Sequence, residues 1–544
     1  MTSSVNRSHL FYATGDDIEK KVIELFTQED GLHAAGSVGA RLSAIAGDFL
    51  NAKNIAGAPD YESLAERFAD CTIPDEPAGI ESFINYLEEN VIAYSTRTAS
   101  PLFIGHMTSS LPYFMREIAR LVVAMNQNVV KVETAKALTP YERQAIARVH
   151  HLIYGFGREF YSRYAQRSDG ALGAIVSGGT VANITALWCA RNSSFPASGA
   201  GVGIAAEGLA ATLDRHGYRR AVIIGSSQMH YSFDKAADVL GIGVSGIIKI
   251  PTDSQKRIDL NELRNRVAEC RDQRMHIIAL VGNAGTTDCG AIDPLEEMAE
   301  IAREEGIHFH VDAAWGGPLL FSDDHRQKLE GIEKADSVTI DGHKQLYLPI
   351  GVGMVIMRDP KTVQSIEKNA QYIVRAGSKD AGRYALEGSR PGTAIFLNAA
   401  LQLIGRKGYE YLINEGIRKA RYMANSILNR QEFELLLIPQ INILLYRYIP
   451  EPWRDAASRG ELDDAANEAI NECNKALQEE QSGAGRTFVS RTTICSAQYG
   501  SDMPIVALRA VIANPLTTES DIDSVLNDQV SLAAKLQVTA SMVG

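Results

Sequence analysis

The chain has 544 residues, 45% of them hydrophobic and 22% charged, and its 54 Lys and Arg against 66 Asp and Glu give a formal net charge of −12. That hydrophobic fraction excludes disorder as the main state, and the acidic balance excludes the clustered positive charge through which nucleic-acid and anionic-membrane binders work. At about 150 residues per domain the length allows three or four domains or one large α/β core, and neither needs disulfides or a structural metal to be buried.

Residues 1–100 read as helical, with apolar residues at helical spacing in 16–27 and 81–94. Met1 to Asp17 shows no basic stretch followed by an apolar one, so no signal peptide is expected, and no apolar run reaches bilayer length. Between Ser100 and Tyr141, Pro101, Gly105, Pro112 and Pro140 bracket an apolar helix, Phe114–Met125. From Gly170 onward strand and helix signals alternate: strand 174–177, helix 182–191, strand 220–225, helix 232–240, strand 277–281 and helix 294–305. Strands His308–Asp312, 337–340 and 352–357 follow. This alternation predicts a mostly parallel sheet with helices on both faces. A helix at 394–404, an acidic helix-rich stretch at 461–481 and strands at 487–490 and 506–513 predict a smaller α+β region, with SGAG at 482–485 as a flexible connection. The six cysteines, Cys71, Cys189, Cys270, Cys289, Cys473 and Cys495, are scattered without a CxxC pair, which predicts reduced thiols in a cytoplasmic protein.

Three places carry chemistry. Ser177-Gly178-Gly179-Thr180 follows a strand and opens a helix, where unpaired N–H groups and the helix dipole favour an anion; a purely structural turn is the competing reading, and no GxGxxG or Walker lysine accompanies it. His308, His310 and Asp312 alternate on one strand and share a face, as metal ligands could. A strand covered on both sides, with no further ligand cluster nearby, favours structural histidines, and no metal is expected. Asp312 differs because it ends its strand, where ligands bind in open α/β sheets. Lys344 directly follows another buried strand, where partial desolvation would favour its neutral, nucleophilic amine over the fate of an ordinary surface lysine. An anion cradle, a carboxylate at a strand end and a lysine 32 positions later are what pyridoxal phosphate (PLP) requires: a phosphate anchor, a partner for the ring nitrogen and an amine for the aldehyde.

The stretches SGGTVANITAL, SSQMHYSFDKAADVLG, GNAGTTDCGAIDPL, HVDAAWGG and TIDGHKQL occur in the order and spacing of the group II PLP-dependent amino-acid decarboxylases, which the chain resembles over roughly residues 90–530. GHMTSSLPYF, NQNVVKVETAKALTP and LRAVIANPLTTESDID extend the match, the first two being most similar to the bacterial aspartate 1-decarboxylase branch, with glutamate decarboxylases as neighbours. The resemblance implies a fold-type-I PLP-dependent transferase architecture in three parts: an N-terminal helical dimerisation segment (1–110), a large PLP-binding α/β domain (111–392) and a small C-terminal α+β domain (393–544). It implies a homodimer with the site at the subunit interface.

It also implies roles. Lys344 would bind the cofactor aldehyde, Asp312 the ring nitrogen, and Ala314 and His230 the two ring faces. Ser177, Gly178, Gly179 and His343 would surround the phosphate, and Thr286 would bond the phenolic side. Arg509 would take the substrate α-carboxylate, His106, Thr108 and Ser109 the second carboxylate, and Tyr372, with Tyr384 as its rival, would supply a proton from a mobile loop. The expected reaction is α-decarboxylation of L-aspartate to β-alanine, a supply for pantothenate and coenzyme A synthesis, or of glutamate to γ-aminobutyrate. A PLP lyase or desulfurase of the same fold would need its own acid or a reactive cysteine; Cys289 is the one thiol within a motif, and an apolar filler role suits it better. A scaffold without activity is disfavoured by intact Lys344, Asp312 and His230.

Overall fold

The computed structural model describes residues 22, 25, 26, 37–52, 54–56, 61–75, 77–196, 203–370, 375, 377–495, 499 and 503–543, with side chains as far as 536. Seven strands form the large sheet: β1 (Gly173–Val176), β2 (Arg220–Ser226), β3 (Ile247–Ile250), β4 (Met275–Asn283), β5 (His308–Asp312), β6 (Ser337–Asp341) and β7 (Gly353–Met357). Their order is β1-β7-β6-β5-β4-β2-β3. All run parallel except β7, which pairs antiparallel with both β6 and β1. The central strands are buried because both faces are covered, β6 and β7 throughout, although β5 and β6 carry polar side chains between their apolar ones. The sheet is therefore the mostly parallel one expected. Strand β3 was not legible: it is an edge strand, partly exposed and interrupted by Lys249, so it lacks the apolar run that marks its neighbours.

A second sheet, entirely antiparallel, contains β8 (Phe433–Leu437), β9 (Ile443–Tyr448), β10 (Ser490–Cys495) and β11 (Pro504–Val511) in the order β10-β11-β9-β8. Helices Gly405–Leu428, Asp464–Ala484 and Glu519–Val543 accompany it. Two expectations need correction. The strand expected at 487–490 begins at Ser490, and SGAG is no loop. Ser482, Gly483 and Ala484 complete the helix, and Gly485, at φ 64°, ends it with its N–H directed to Gln481 O. The glycine is a left-handed cap rather than a flexible link. Of the helix expected at 16–27 only three residues are described, and the rest lies outside the described residues.

One apolar cluster joins the two sheets. It contains Val311 and Ile340 of the large sheet, Phe396 and Tyr409 of the helices after it, and Ile443 and Val511 of the second sheet. Polar contacts follow the same seam: Trp315 Nε1 donates to Asn442 Oδ1 (3.0 Å), and Asn442 Nδ2 donates to Gln345 Oε1 (2.9 Å). This packing brings β11 to the side of the cleft described next.

Candidate active site

The carboxyl ends of β1, β2, β4, β5 and β6 open into one cleft of about 340 Å³, at the position where open α/β sheets bind ligands. Its floor is the turn Ser177–Thr180 at the start of helix Gly179–Ser194; His230, Asn283, Asp312 and Lys344 come from the other strand ends. Close backbone approach builds the cradle: a Cβ on Gly353, at the start of β7, would stand 2.6 Å from Gly178 Cα.

Each side chain is held by specific partners. Asp312, 9% exposed, accepts from Asn183 Nδ2 and from the Ala314 N–H, both at 3.0 Å. Lys344 Nζ lies 3.6 Å from Asp341 Oδ2, and the same oxygen accepts the Gly179 N–H at 3.1 Å. His343 Nδ1 lies 2.9 Å from Asp341 Oδ1. His230 Nδ1 accepts the Ser232 N–H at 3.2 Å, which leaves its proton on Nε2. Burial first, and then the Lys344 charge, push the His230 pKa down, while Asp312 and Asp341 oppose the shift. Thr286 Oγ1 accepts the Ala291 N–H at 3.0 Å and sits 3.2 Å from Cys289 Sγ, whose thiol burial pushes up in pKa and away from reactivity. The donor set fits PLP: backbone N–H groups at a helix start for an anion, a buried carboxylate for a ring nitrogen, and a primary amine in the same cleft.

The conserved domain of the pyridoxal-dependent decarboxylases matches residues 62–449. The chain belongs to that family. This pyridoxal-dependent decarboxylase is thus a carboxy-lyase that uses PLP. It is 41% identical to aspartate 1-decarboxylase of Aliivibrio fischeri over 97% of each chain, and 29% identical to aromatic-L-amino-acid decarboxylase of Bacillus atrophaeus over 90% of this chain and 93% of that one. Its fold matches the crystal structure of mouse CSAD with a TM-score of 0.78 at 23% identity, covering 91% of this chain and 98% of the other. The Oryza sativa TDC structure with PLP and tryptamine matches with a TM-score of 0.77 at 18% identity, over 97% and 99% of the two chains.

Nine of the decarboxylase's expected site residues line the cleft together: Ser177, Gly178, Gly179, His230, Thr286, Asp312, Ala314, His343 and Lys344. Arg509 stands behind its wall. Its Nε donates to the carbonyls of Thr287 (2.9 Å) and Asp288 (3.2 Å), and its Nη1 to Gly105 O (3.3 Å) and Ser490 Oγ (3.2 Å). Nη2 is buried with no hydrogen-bond partner among the described residues, and burial pushes the guanidinium pKa down to about 10. His106 is exposed, and neither it nor Thr108 or Ser109 is among the residues that line the cleft. Partial burial and then the charges of Arg509, Lys344 and His343 lower the His106 pKa, and its Nδ1 lies 3.0 Å from Thr108 Oγ1. Ser109 turns its hydroxyl toward the Ser110 carbonyl. Tyr372 lies outside the described residues. Tyr384 does not line the cleft; it is 2% exposed and donates to Ser168 O at 2.9 Å. Asn183, Asp341, Gln228, Asn283, Thr287 and Trp315 line the cleft but were not singled out by sequence. An asparagine within the otherwise apolar helix run and an aspartate directly before Gly342-His343-Lys344 were the available signals.

Proposed function

We propose that this enzyme removes the α-carboxylate of L-aspartate to give β-alanine and carbon dioxide, supplying β-alanine for pantothenate and coenzyme A synthesis. The observation that carries the reading is the near-full-length 41% identity to an aspartate 1-decarboxylase, joined to a buried arginine with an unpaired N–H beside the cleft. When bound, PLP supplies an aldehyde that condenses with amines and a protonated ring that takes up the electron pair left as carbon dioxide departs.

The chain's own groups do the rest. Lys344 would hold the cofactor through its primary amine. Asp312 would accept the ring N–H, because its carboxylate is held in place by two donors at 3.0 Å. Ser177, Gly178, Gly179 and His343 would hold the phosphate, and Thr286 would bond the phenolic side. Ala314 and His230 would confine the ring. Arg509 binds the α-carboxylate, so that the scissile bond is oriented before it breaks. His106, Thr108 and Ser109 receive the side-chain carboxylate, with Arg509 and Lys344 supplying the local positive field that the −12 net charge of the chain conceals. Tyr372 returns a proton to Cα.

The same proposal includes a cytoplasmic homodimer, with residues 1–110 as the dimerisation segment, 111–392 as the cofactor-binding part and 393–544 as the smaller part. The six cysteines are free thiols, in keeping with a reducing compartment, and no described helix is long and apolar enough to cross a membrane. Large apolar side chains stand in solvent along the N-terminal quarter, among them Ile73 (86% exposed), Tyr113 (76%) and Val123 (76%), which a second copy would cover. Sedimentation as a monomer would remove the dimer from this reading. Product analysis with aspartate, glutamate, cysteinesulfinate and DOPA tests the substrate: β-alanine as the main product supports it, γ-aminobutyrate from glutamate shifts it to a glutamate decarboxylase, and equal turnover of DOPA sinks the acidic-substrate reading.

A further inference from the structure

Beneath the cleft, five polar side chains form one hydrogen-bonded chain between the large sheet and the helix Gly179–Ser194. His308 Nε2 lies 2.8 Å from Ser337 Oγ, which lies 2.9 Å from His310 Nδ1. His310 Nε2 lies 3.0 Å from Asn183 Oδ1, and Asn183 Nδ2 lies 3.0 Å from Asp312 Oδ2. His310, Ser337 and Asn183 are almost wholly buried, where an unpaired polar group would be costly.

The chain has a direction. Asn183 Nδ2 also donates to Ser232 Oγ at 3.0 Å, so both amide hydrogens are committed and Oδ1 is left to accept. Turning the amide over would set its carbonyl oxygen against the Asp312 carboxylate. His310 therefore carries its proton on Nε2 and accepts at Nδ1, which commits the single Ser337 hydrogen to His310. Ser337 Oγ in turn accepts from His308 Nε2–H. Every donor points the same way, and the series ends on Asp312. Burial holds both histidines neutral, His310 with its pKa pushed down to about 3, in keeping with this arrangement. A branch leaves the same amide: Ser232, which Asn183 binds, donates its backbone N–H to His230 Nδ1.

We propose that Asn183 and His310 are positioning residues of the decarboxylase: they orient Asp312 as an anion toward the cofactor ring nitrogen and brace the segment that carries His230. This rests on the role given above to Asp312. His310 acts wholly through Asn183, since it does not line the cleft.

The test is PLP titration of cofactor-free protein, followed by the yellow absorbance of the bound cofactor, with histidine-selective NMR on the unmodified enzyme. His310→Phe, which removes the donor, weakens PLP binding about ten- to hundredfold, whereas His310→Gln, which keeps an N–H near Nε2, stays within about threefold of wild type. Asn183→Asp, which sets two carboxylates face to face, weakens binding at least as much as His310→Phe. Ring nitrogen shifts of a neutral Nε2–H form at His308 and His310 support the series, and this measurement decides the matter if His310→Phe does not fold. An Nδ1–H or charged form at His310, or wild-type PLP affinity in His310→Phe, overturns it. Wild-type affinity in Asp312→Asn overturns the role of Asp312 and the series with it; loss in Asp312→Asn alone overturns only the series.

Discussion

The residues that define this site differ in what their sequence neighbours reveal. Lys344 and Asp312 were legible because each directly follows or ends a short buried strand, so a local pattern fixes its exposure to the cleft. Asn183 and Asp341 were not, because their importance lies in contacts across 129 and 162 positions of chain. The legible lysine gives the plainest expectation: Lys344→Ala loses turnover and the yellow absorbance of lysine-bound cofactor together, which a spectrum and an assay of one preparation check. Arg509 separates binding of substrate from binding of cofactor. Among the described residues its guanidinium bonds the Thr287, Asp288 and Gly105 carbonyls and Ser490, with Nη2 left over. Arg509→Gln should lower kcat/KM for aspartate by about a hundredfold, the scale of a lost charge-assisted pair, while the cofactor absorbance stays that of wild type. Loss of both signals would place Arg509 in the scaffold instead.

Among elements, six of the seven strands of the large sheet could be read, because short buried segments alternate with helices along the chain, and only the partly exposed edge strand β3 could not. In the second sheet β11 was expected at 506–513, but β8 and β9 were not. Strand β9 is as buried as β6 and carries Arg447, whose Nε pairs with Glu434 at 2.6 Å and whose Nη1 donates to Asn467 Oδ1 at 2.8 Å, partners that its local text does not reveal. Glycines misled as well: in SGAG they signal a loop, while the helix runs through to Gly485. Where β7 meets the cradle, a glycine has a measurable purpose. Gly353 pairs with Val176, and a Cβ there would meet Gly178 Cα and carbonyl carbon at 2.6 Å, both backbone atoms that cannot turn aside. Gly353→Ala must push the Ser177–Thr180 turn away from β7. Overpacking of this kind costs about 1–3 kcal/mol, so the thermal midpoint falls and PLP affinity falls with it. A variant that loses midpoint but keeps PLP affinity would show that the turn is not the cofactor's anchor.

At the scale of the whole molecule, buried histidines tie stability to pH. Burial pushes His150 and His276 down to about 4 and His310 to about 3, against the ordinary value of 6.5. Between pH 6.5 and 4 the unfolded chain takes up protons on these rings that the folded protein refuses, so stability is complete above this window and falls as the pH drops through it. Asp293 works the other way: burial raises its carboxyl to about 6, and the folded protein holds a proton there that the unfolded chain releases above its ordinary 3.8. Burial also lowers His106, His230, His308 and His325, so the histidines outweigh Asp293 and unfolding takes up protons near pH 5. His150 is the ring to remove, because it sits away from the cleft, stacked on Phe160 with Nδ1 2.9 Å from Tyr161 Oη, and a phenylalanine ring suits that aromatic cluster. Each such histidine contributes a slope of up to about 1.4 kcal/mol per pH unit within its window. Between pH 7 and pH 5, with PLP bound, the thermal midpoint of the wild type should therefore fall further than that of His150→Phe. Parallel loss in the two proteins would mean that His150 keeps an ordinary pKa in the fold and that the acid sensitivity arises elsewhere.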